Sequence, residues 1–374
     1  MRLLDRYLLR ELLVPLGFCL GGFLLLWAAF DLLANLAEWQ ARKMNGFDIV
    51  EYYFLTAPDM LKFILPIALL LALLYALTHH AKNNELTAMR AAGIGLWRLA
   101  APYLAVGFLL SVVTLGVSEW VVPRAADRSE YLKTRRVQPA DAEHDAKVIR
   151  NLGFTNGREG RRWQVGAYEL ETDRMSQIQV GWPQPDGSLA WLFADSAVYT
   201  NGCWTFQQNV KVLRQTSPSN NLLYTAIETN YLPMSEFTES PEAIRSEVKV
   251  AGSIGFRVKQ ADIPIEDLLD YLRFHPRLSP KDSAWLHTML HGRLAGSWTC
   301  LVVVLIAIPF GAPTGRRNVF VGVAGSIFIC FAYFVLMQVG LALGSGGMVP
   351  PWLAAWLPNL TFTALSIYLI SRVR

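Results

Sequence analysis

The chain has 374 residues, of which 53% are hydrophobic and 17% are charged, and its mean hydropathy is +0.28. Soluble proteins of this size carry about 25% charged residues, so the composition excludes an ordinary soluble domain and predicts an integral membrane protein. The formal net charge of +4 is too small to indicate a partner. Cys203 is alone in the polar middle of the chain, so no disulfide is predicted there.

Six apolar stretches are long enough to cross about 30 Å of hydrocarbon as helices. They are approximately Leu12–Leu36, Pro58–Thr78, Leu99–Val121, Leu294–Phe310, Val319–Leu343 and Trp352–Ile370. The fourth is short and is expected to begin earlier, near Trp285. No small-residue cleavage site follows the first stretch, which is therefore expected to be a retained signal anchor.

Basic residues flank these stretches unevenly. One side carries Arg2, Arg6, Arg10, Lys82, Arg90, Arg98, Arg316, Arg317, Arg372 and Arg374, and the short loops of the other side carry Arg42, Lys43 and Lys62. Because Lys and Arg accumulate in cytoplasmic loops, this count predicts that both termini and the loop after the second span are cytoplasmic.

Two features concern how the helices lie. Residues 1–13 place charged residues between apolar ones at helical spacing, which predicts an amphipathic start along the inner membrane surface. Gly17 with Gly21, and Gly340 with Gly344, form GxxxG pairs. Such pairs let helices approach closely, although the pattern also occurs by chance.

A polar segment, His79–Trp97, separates the second and third spans and reads HHAKNNELTAMRAAGIGLW. It must lie outside the bilayer, since lipid offers no partners to its charges and backbone. Asn83 or Asn84 is a candidate N-cap, Glu85 suits the first turn of a helix, and Gly93 suits its end. The pattern predicts a short helix over about residues 83–93.

The apolar face of this helix needs a covering surface, because a helix of about ten residues is not stable alone in water. Leu86 and Met89 lie on that face at i,i+3 spacing. Two interpretations remain open. The helix either packs on the chain's own bundle or docks a separate cytoplasmic protein.

Between Pro123 and Pro280, short runs alternate apolar and polar residues and are separated by turn signals such as Asn201-Gly202. The runs are Arg162–Tyr168, Ser176–Trp182, Ser188–Tyr199, Trp204–Leu213 and Leu222–Thr229. They predict an inserted antiparallel β domain, a sandwich or jelly roll, on the outer side of the membrane. Pro264–Arg273 is predicted to be a helix that leads back to the fourth span.

The predicted architecture is therefore a membrane α-helical bundle of six transmembrane helices with an inserted all-β, jelly-roll-like periplasmic domain. Its parts are residues 1–122 with spans one to three, residues 123–280 with the β domain and its final helix, and residues 281–374 with spans four to six.

Motifs for chemistry are weak. Gly311–Arg317 lacks the Lys-Ser/Thr pair of a phosphate-binding loop. His287 and His291 have the spacing of a zinc helix, but Thr288 stands where the catalytic Glu would be, so no metal site is predicted. The cluster Asp141–Asp145 is interpreted as a solvated linker. The chain is predicted not to be an enzyme.

Several motifs together resemble the LptF/LptG permeases of lipopolysaccharide export. They are LDRYLLREL at Leu4–Leu12, the span containing Pro58 and Pro66, NNELTAMRAAG at Asn83–Gly93 and SEWVVP at Ser118–Pro123. The resemblance covers essentially the whole chain and leans towards the G-type subunit. The sequence leaves open whether such a permease pairs with a copy of itself or with a paralogue, and which glycolipid it carries.

The resemblance implies an ABC transporter permease that extracts lipopolysaccharide from the inner membrane of a Gram-negative bacterium. Implied partners are a cytoplasmic ATPase dimer, a second permease of the family and a periplasmic jelly-roll protein that receives the lipid; no nucleic acid and no cofactor are expected. The helix after span two would bind the ATPase through Glu85, at the family's acidic coupling position, with Leu86, Met89 and Arg90.

Basic residues near the outer ends of the first two spans are expected to meet the phosphates of the lipid headgroup. Arg42 and Lys43 lie together beyond span one, and Lys62 is expected to complete the cluster or else to snorkel. Two alternatives to this function are a permease for another lipid or for lipoproteins, and a membrane anchor for a binding domain. Co-purification with an ATPase and identification of the bound lipid would discriminate them.

Overall fold

The computed structural model describes residues 3–135, 148–156, 159–217, 220–247, 263–275, 278–311 and 319–372. Two compact units are present. One comprises Met1–Ser129 with Ala284–Arg374, and the other comprises Glu130–Ser283. Residues 312–317 of the glycine-rich segment, the Asp141–Asp145 cluster, Arg2 and Arg374 lie outside the described residues.

The first unit is helical. Its N-terminal part contains α1 (Leu3–Ala41), α2 (Gly46–Lys82), α3 (Glu85–Ala91), α4 (Leu96–Gly116), a π turn (Val117–Val121) and α5 (Val122–Arg135), whose last residues enter the second unit. Its C-terminal part contains α9 (Thr299–Gly311), α10 (Val319–Ser345) and α11 (Pro351–Arg372). The helix α8 (Pro280–Ser297) begins just before Ala284, where this part starts, and most of it belongs to this part.

Among the described residues, five helical stretches are long and apolar enough to cross a membrane, and α8 with α9 makes a sixth if this bent pair counts as one span. The bend between α8 and α9 is 48°. It follows Gly296-Ser297, and Gly/Ser pairs are sites where helices kink. The fourth predicted span therefore starts earlier than its apolar run, as expected, but it is broken in the middle.

The helices α1 and α2 are longer than their predicted spans, with 39 and 37 residues. At 1.5 Å per residue they extend over roughly 55–60 Å, about twice the thickness of the hydrocarbon layer. Hydropathy identified only the apolar part of each helix. Both therefore continue well beyond the stretch that lipid must cover.

The helical core is centred on α2. Ala68, Leu69, Ala72 and Leu73 are fully buried in one apolar cluster with residues of α1, α4 and α9. At Gly107 of α4, an added Cβ would lie 2.9 Å from a side-chain methyl carbon of α9, so glycine is required for the two helices to approach.

The two GxxxG pairs behave differently. An added Cβ at Gly340 would lie 2.4 Å from the carbonyl oxygen of Ala354 on α11, and one at Gly344 would lie 2.7 Å from the Ala354 Cβ. Gly17 and Gly21 have nothing within 4 Å of the added atom. Of the two pairs, therefore, only the second mediates a close helix contact among the residues that the structure describes.

Within its described residues, the second unit contains six strands, two helices, the end of α5 and the first residues of α8. The strands are β1 (Val148–Asn156), β2 (Arg161–Glu169), β3 (Arg174–Pro183), β4 (Leu189–Thr200), β5 (Cys203–Ser217) and β6 (Asn220–Met234). The helices are α6 (residues 241–247) and α7 (Ile265–Phe274). All strand pairs are antiparallel, and the order in the sheet is the order in the chain.

The sheet curls around its own core. In a flat sheet β2 and β5 would lie about 14 Å apart, since neighbouring strands are about 4.8 Å apart. Yet the rings of Trp163 on β2 and Phe206 on β5 are 6.1 Å apart, and Phe237 packs on both. The predicted inserted β domain is confirmed, and these aromatic rings fill its interior at this position.

Candidate functional site

The short helix α3 forms between the two candidate spans as predicted, over Glu85–Ala91. Its end follows the Schellman pattern, in which Gly93 adopts φ +82°, its N–H donates to the Arg90 carbonyl, and the Ile94 N–H donates to the Met89 carbonyl. The start differs from expectation. Asn84 occupies the N-cap position with φ 59° and makes no side-chain capping bond.

Glu85 is held by side chains of α1 and α2. Its Oε2 accepts a hydrogen bond of 2.7 Å from Nδ1 of His80 and one of 3.0 Å from the hydroxyl of Tyr7. Since an ionised carboxylate has no hydrogen to give, the hydrogen of the first bond resides on Nδ1. His80 is fully buried, and its ring packs at 5.5 Å from that of Tyr7.

This arrangement favours the charged form of Glu85. The hydrogen bond from His80 is the main cause that lowers the pKa of Glu85 below its ordinary value, and the Tyr7 hydroxyl adds to it, while partial burial opposes both. The side chain remains 29% exposed. A charged and partly accessible carboxylate is therefore presented at the start of α3.

The other predicted coupling residues take different positions on α3. Leu86 is buried in the helical core and Met89 packs against it, so the chain's own bundle covers this face. Arg90 is half-buried. The exposed face carries Thr87, Ala88 and Ala91, which are small enough for a partner surface to approach the helix closely.

The beginning of α1 is fastened to the same region. Asp5 forms an ion pair with Arg98 at the start of α4, with 2.8 Å between Oδ1 and Nη2. Leu8 and Leu12 are almost completely buried in the cluster that contains Leu86. The helix α3 is linked to α1 by the Tyr7–Glu85 hydrogen bond and by this apolar cluster.

The predicted headgroup residues Arg42 and Lys43 follow the end of α1. Arg42 forms an i,i+4 ion pair with Glu38, with 2.8 Å between Nη2 and Oε1. Lys43 is exposed and has φ 51°, in the turn that leads into α2. The loop therefore presents an accessible ammonium beside a guanidinium that Glu38 already engages.

Lys62 does not complete a cluster with this pair, contrary to the sequence-based expectation. It lies sixteen residues beyond the start of α2, which is about 24 Å along the helix axis. Its ammonium pairs with Asp59, and its side chain lines a small apolar cavity with Thr114 and Ser118. The separation between Lys62 and this pair arises because α2 begins twelve residues before the predicted span. A role for Lys62 towards substrate stays a separate prediction.

A buried polar contact elsewhere in the helical unit was also not predicted from the sequence. Arg293 on α8 and Glu119 in the π turn form an ion pair with 2.9 Å between Nη2 and Oε1, and both side chains are largely buried. The residues are 174 positions apart in the sequence, so no local pattern joins them. The available signal was an arginine between two apolar runs and a glutamate at the end of a third.

The comparisons with known proteins agree with this architecture. A family model described as lipopolysaccharide export system permease LptF/LptG matches residues 6–372. The lipopolysaccharide export system permease protein LptG of Haemophilus influenzae is 22% identical over 345 residues, which cover 90% of this chain and 87% of that protein. The predicted resemblance is confirmed. The chain belongs to the LptF/LptG family of lipopolysaccharide export permeases and is a multi-pass inner-membrane transport subunit.

Proposed function

We propose that this permease extracts lipopolysaccharide from the outer leaflet of the inner membrane and delivers it to its β domain. The work comes from ATP hydrolysis on a separate ATPase dimer that docks on α3. The observation that carries this proposal is the position of Glu85, which is exposed enough to meet a partner and bonded to Tyr7 of α1 and His80 of α2.

The exposed and buried faces of α3 suit different tasks. Thr87, Ala88 and Ala91 face outward and would contact the ATPase, whereas Leu86 and Met89 seat the helix on the bundle. A push on α3 would therefore reach α1 through the Tyr7–Glu85 bond and through the buried leucines. Leu86 and Met89 contribute to coupling by transmitting this movement.

The chemistry of the substrate requires a sheltered path. Moving a twelve-carbon acyl chain from lipid into water costs on the order of 9 kcal/mol, at about 0.8 per methylene. A β domain inserted between the third and fourth spans offers apolar surface directly after the membrane. On the edge strand β6, Tyr224, Ile227 and Tyr231 are exposed, and we propose that a periplasmic bridge protein of similar fold receives the lipid here.

The proposal includes a second permease of the same family and an orientation with both termini and α3 in the cytoplasm. Single cysteines at Ser235 in the β domain and at Thr87 on α3 test the orientation, because both positions are exposed. Ser188, which is also in the β domain, is buried and would be a poor position for labelling. In a cysteine-free background, an impermeant maleimide should label position 235 in spheroplasts and spare position 87. The reverse pattern would contradict the orientation.

Docking on α3 is tested by purifying the complex from cells. Thr87→Trp places an indole on the exposed face, where it should separate the ATPase from the permease, and Ser235→Trp places the same group far along the chain as a control. We expect an ATPase with a phosphate-binding loop to co-purify with the wild type and the control only. If the ATPase is recovered equally with Thr87→Trp and with the wild type, α3 is not part of the interface with the ATPase.

A further inference from the structure

The register of the π turn at Val117–Val121 places a proline where the carbonyl of Ser118 would find its backbone donor. In this turn the Val122 N–H donates to the carbonyl of Val117, five residues back. The same register assigns the carbonyl of Ser118 to residue 123, which is a proline and has no N–H. A carbonyl in this position needs a donor from elsewhere, because buried or lipid-facing backbone groups must be paired.

Arg293 supplies that donor. Its Nη2 lies 2.8 Å from the Ser118 carbonyl oxygen, 3.3 Å from the Ser118 hydroxyl and 2.9 Å from Oε1 of Glu119. One guanidinium therefore bonds the orphaned carbonyl and neutralises the adjacent carboxylate. All three contacts come from Nη2, whose two hydrogens are shared among the three oxygen atoms.

The pair joins two particular segments of the chain. The π turn and α5 form the last part of the chain before the β domain, and α8 is the first helix after it. Arg293 and Glu119 both belong to the helical unit and are 9% and 17% exposed. A charged pair in a candidate span is costly to maintain, and such residues in membrane proteins mark functional positions. The π turn is a second such feature, because π turns inside helices are frequently found at functional sites.

We propose that Arg293 is a positioning residue for lipopolysaccharide transport. It holds the π turn by replacing the N–H that Pro123 lacks, and through Glu119 it ties the outgoing span to the returning span. The two connections to the β domain then move together when the permease works. The inference rests on the permease role of the family, and its first test does not depend on transport.

The first test is amide hydrogen exchange of the full-length protein in nanodiscs. In Arg293→Gln, amides of residues 117–122 should exchange about tenfold faster, because the turn loses its external donor. Lys281→Gln is the matched control, since Lys281 is an exposed basic residue on α8, the helix that carries Arg293. Exchange at the wild-type rate in folded Arg293→Gln would overturn the proposal. If that variant does not fold, Arg293→Met serves, which also removes the donor; the same increase in exchange is expected, and the wild-type rate would overturn the proposal.

A second variant tests the role of the proline itself. Pro123→Ala restores an N–H at position 123, so in the Arg293→Gln background it should return exchange of residues 117–122 to within about threefold of wild type. Exchange that stays fast would show that the Ser118 carbonyl is not what Arg293 serves.

The third measurement separates positioning from folding. Lipopolysaccharide release, normalised to the amount of assembled complex, should fall about tenfold in Arg293→Gln and stay unchanged in Lys281→Gln. Unchanged release per complex in Arg293→Gln would overturn the positioning role even if exchange is faster. A wild-type complex without release would contradict the proposed function, and the exchange result would still decide whether Arg293 holds the turn.

Discussion

His80 at the end of α2 and Glu85 at the start of α3 are joined by a hydrogen bond of 2.7 Å between Nδ1 and Oε2. This bond lowers the pKa of Glu85 below its ordinary value of 4.5. A group with a lowered pKa stabilises the folded arrangement above its ordinary pKa and loses that effect as the pH falls through the lowered value. At neutral pH the carboxylate of Glu85 is therefore charged, and its bonds to His80 and Tyr7 hold α3 against α2 and α1.

Tyr7 provides the bond between α3 and α1, and its loss should affect coupling more than docking. In Tyr7→Phe, the hydroxyl that donates to Glu85 is absent while the ring remains against His80. We expect normal recovery of the ATPase but fewer lipid molecules released per ATP. Tyr75→Phe, at an exposed tyrosine on α2, is the control. If the number of lipid molecules released per ATP is unchanged in Tyr7→Phe, the Tyr7–Glu85 bond does not transmit movement from α3 to α1.

The loop after α1 should contribute to headgroup binding mainly through Lys43. Arg42 is engaged by Glu38, whereas Lys43 is exposed, so Lys43→Glu should reduce photo-crosslinking to lipopolysaccharide more than Arg42→Gln does. The physical reason is the loss of a positive charge facing phosphate and its replacement by a negative one. Lys82→Glu, at the opposite end of α2, controls for net charge. Wild-type crosslinking in Lys43→Glu would show that the loop is exposed to solvent and does not bind the lipid headgroup.

Gly340 and Gly21 should respond differently to the same substitution. A Cβ at Gly340 meets a backbone oxygen of α11, which cannot rotate away, so Gly340→Ala should destabilise the protein by about 1–3 kcal/mol. Gly21→Ala should be close to neutral because nothing lies near its added atom. Thermal unfolding in detergent measures both. Equal melting temperatures for the two variants would contradict the packing described for α10 and α11.

These contrasts show what the sequence could and could not predict. Apolar length and turn residues were enough to locate the spans, the short helix α3 and five of the six strands. The strand β1 was missed because Arg150 and Asn151 interrupt its alternation, and Asn151 has φ 55°. Helix ends and long-range polar pairs, such as Glu119 with Arg293, depend on tertiary contacts, which leave no periodic signal.

His275 gives a pH-dependent contact in the β domain. Oxygen atoms lie near both ring nitrogens: Glu247 at 2.6 Å and the Thr155 carbonyl at 2.9 Å from Nε2, and the Tyr271 carbonyl at 3.1 Å from Nδ1. Both nitrogens must then donate, which requires the imidazolium form. Burial alone would lower the pKa of His275, but the Glu247 carboxylate outweighs burial and raises it.

A raised pKa stabilises the folded state below the ordinary value of 6.5, and the effect is lost as the pH rises through the raised value. His275→Gln should therefore lower the unfolding free energy at pH 6 by about 1.5–3 kcal/mol, with a difference that shrinks as the pH increases above 6.5. Chemical unfolding of both proteins at several pH values measures it. A difference that is constant or grows with pH would contradict the charged pair.

Glu85 is proposed to couple ATP hydrolysis on a partner to lipid export, and lipopolysaccharide release from proteoliposomes tests this coupling most directly. Glu85→Ala removes the carboxylate that joins α3 to Tyr7 and His80. A bond to a charged group of this kind contributes about 1.5–3 kcal/mol, so ATP-dependent release per complex should fall roughly ten- to a hundredfold while the protein still inserts. Release and ATP hydrolysis at wild-type levels in Glu85→Ala would contradict the account.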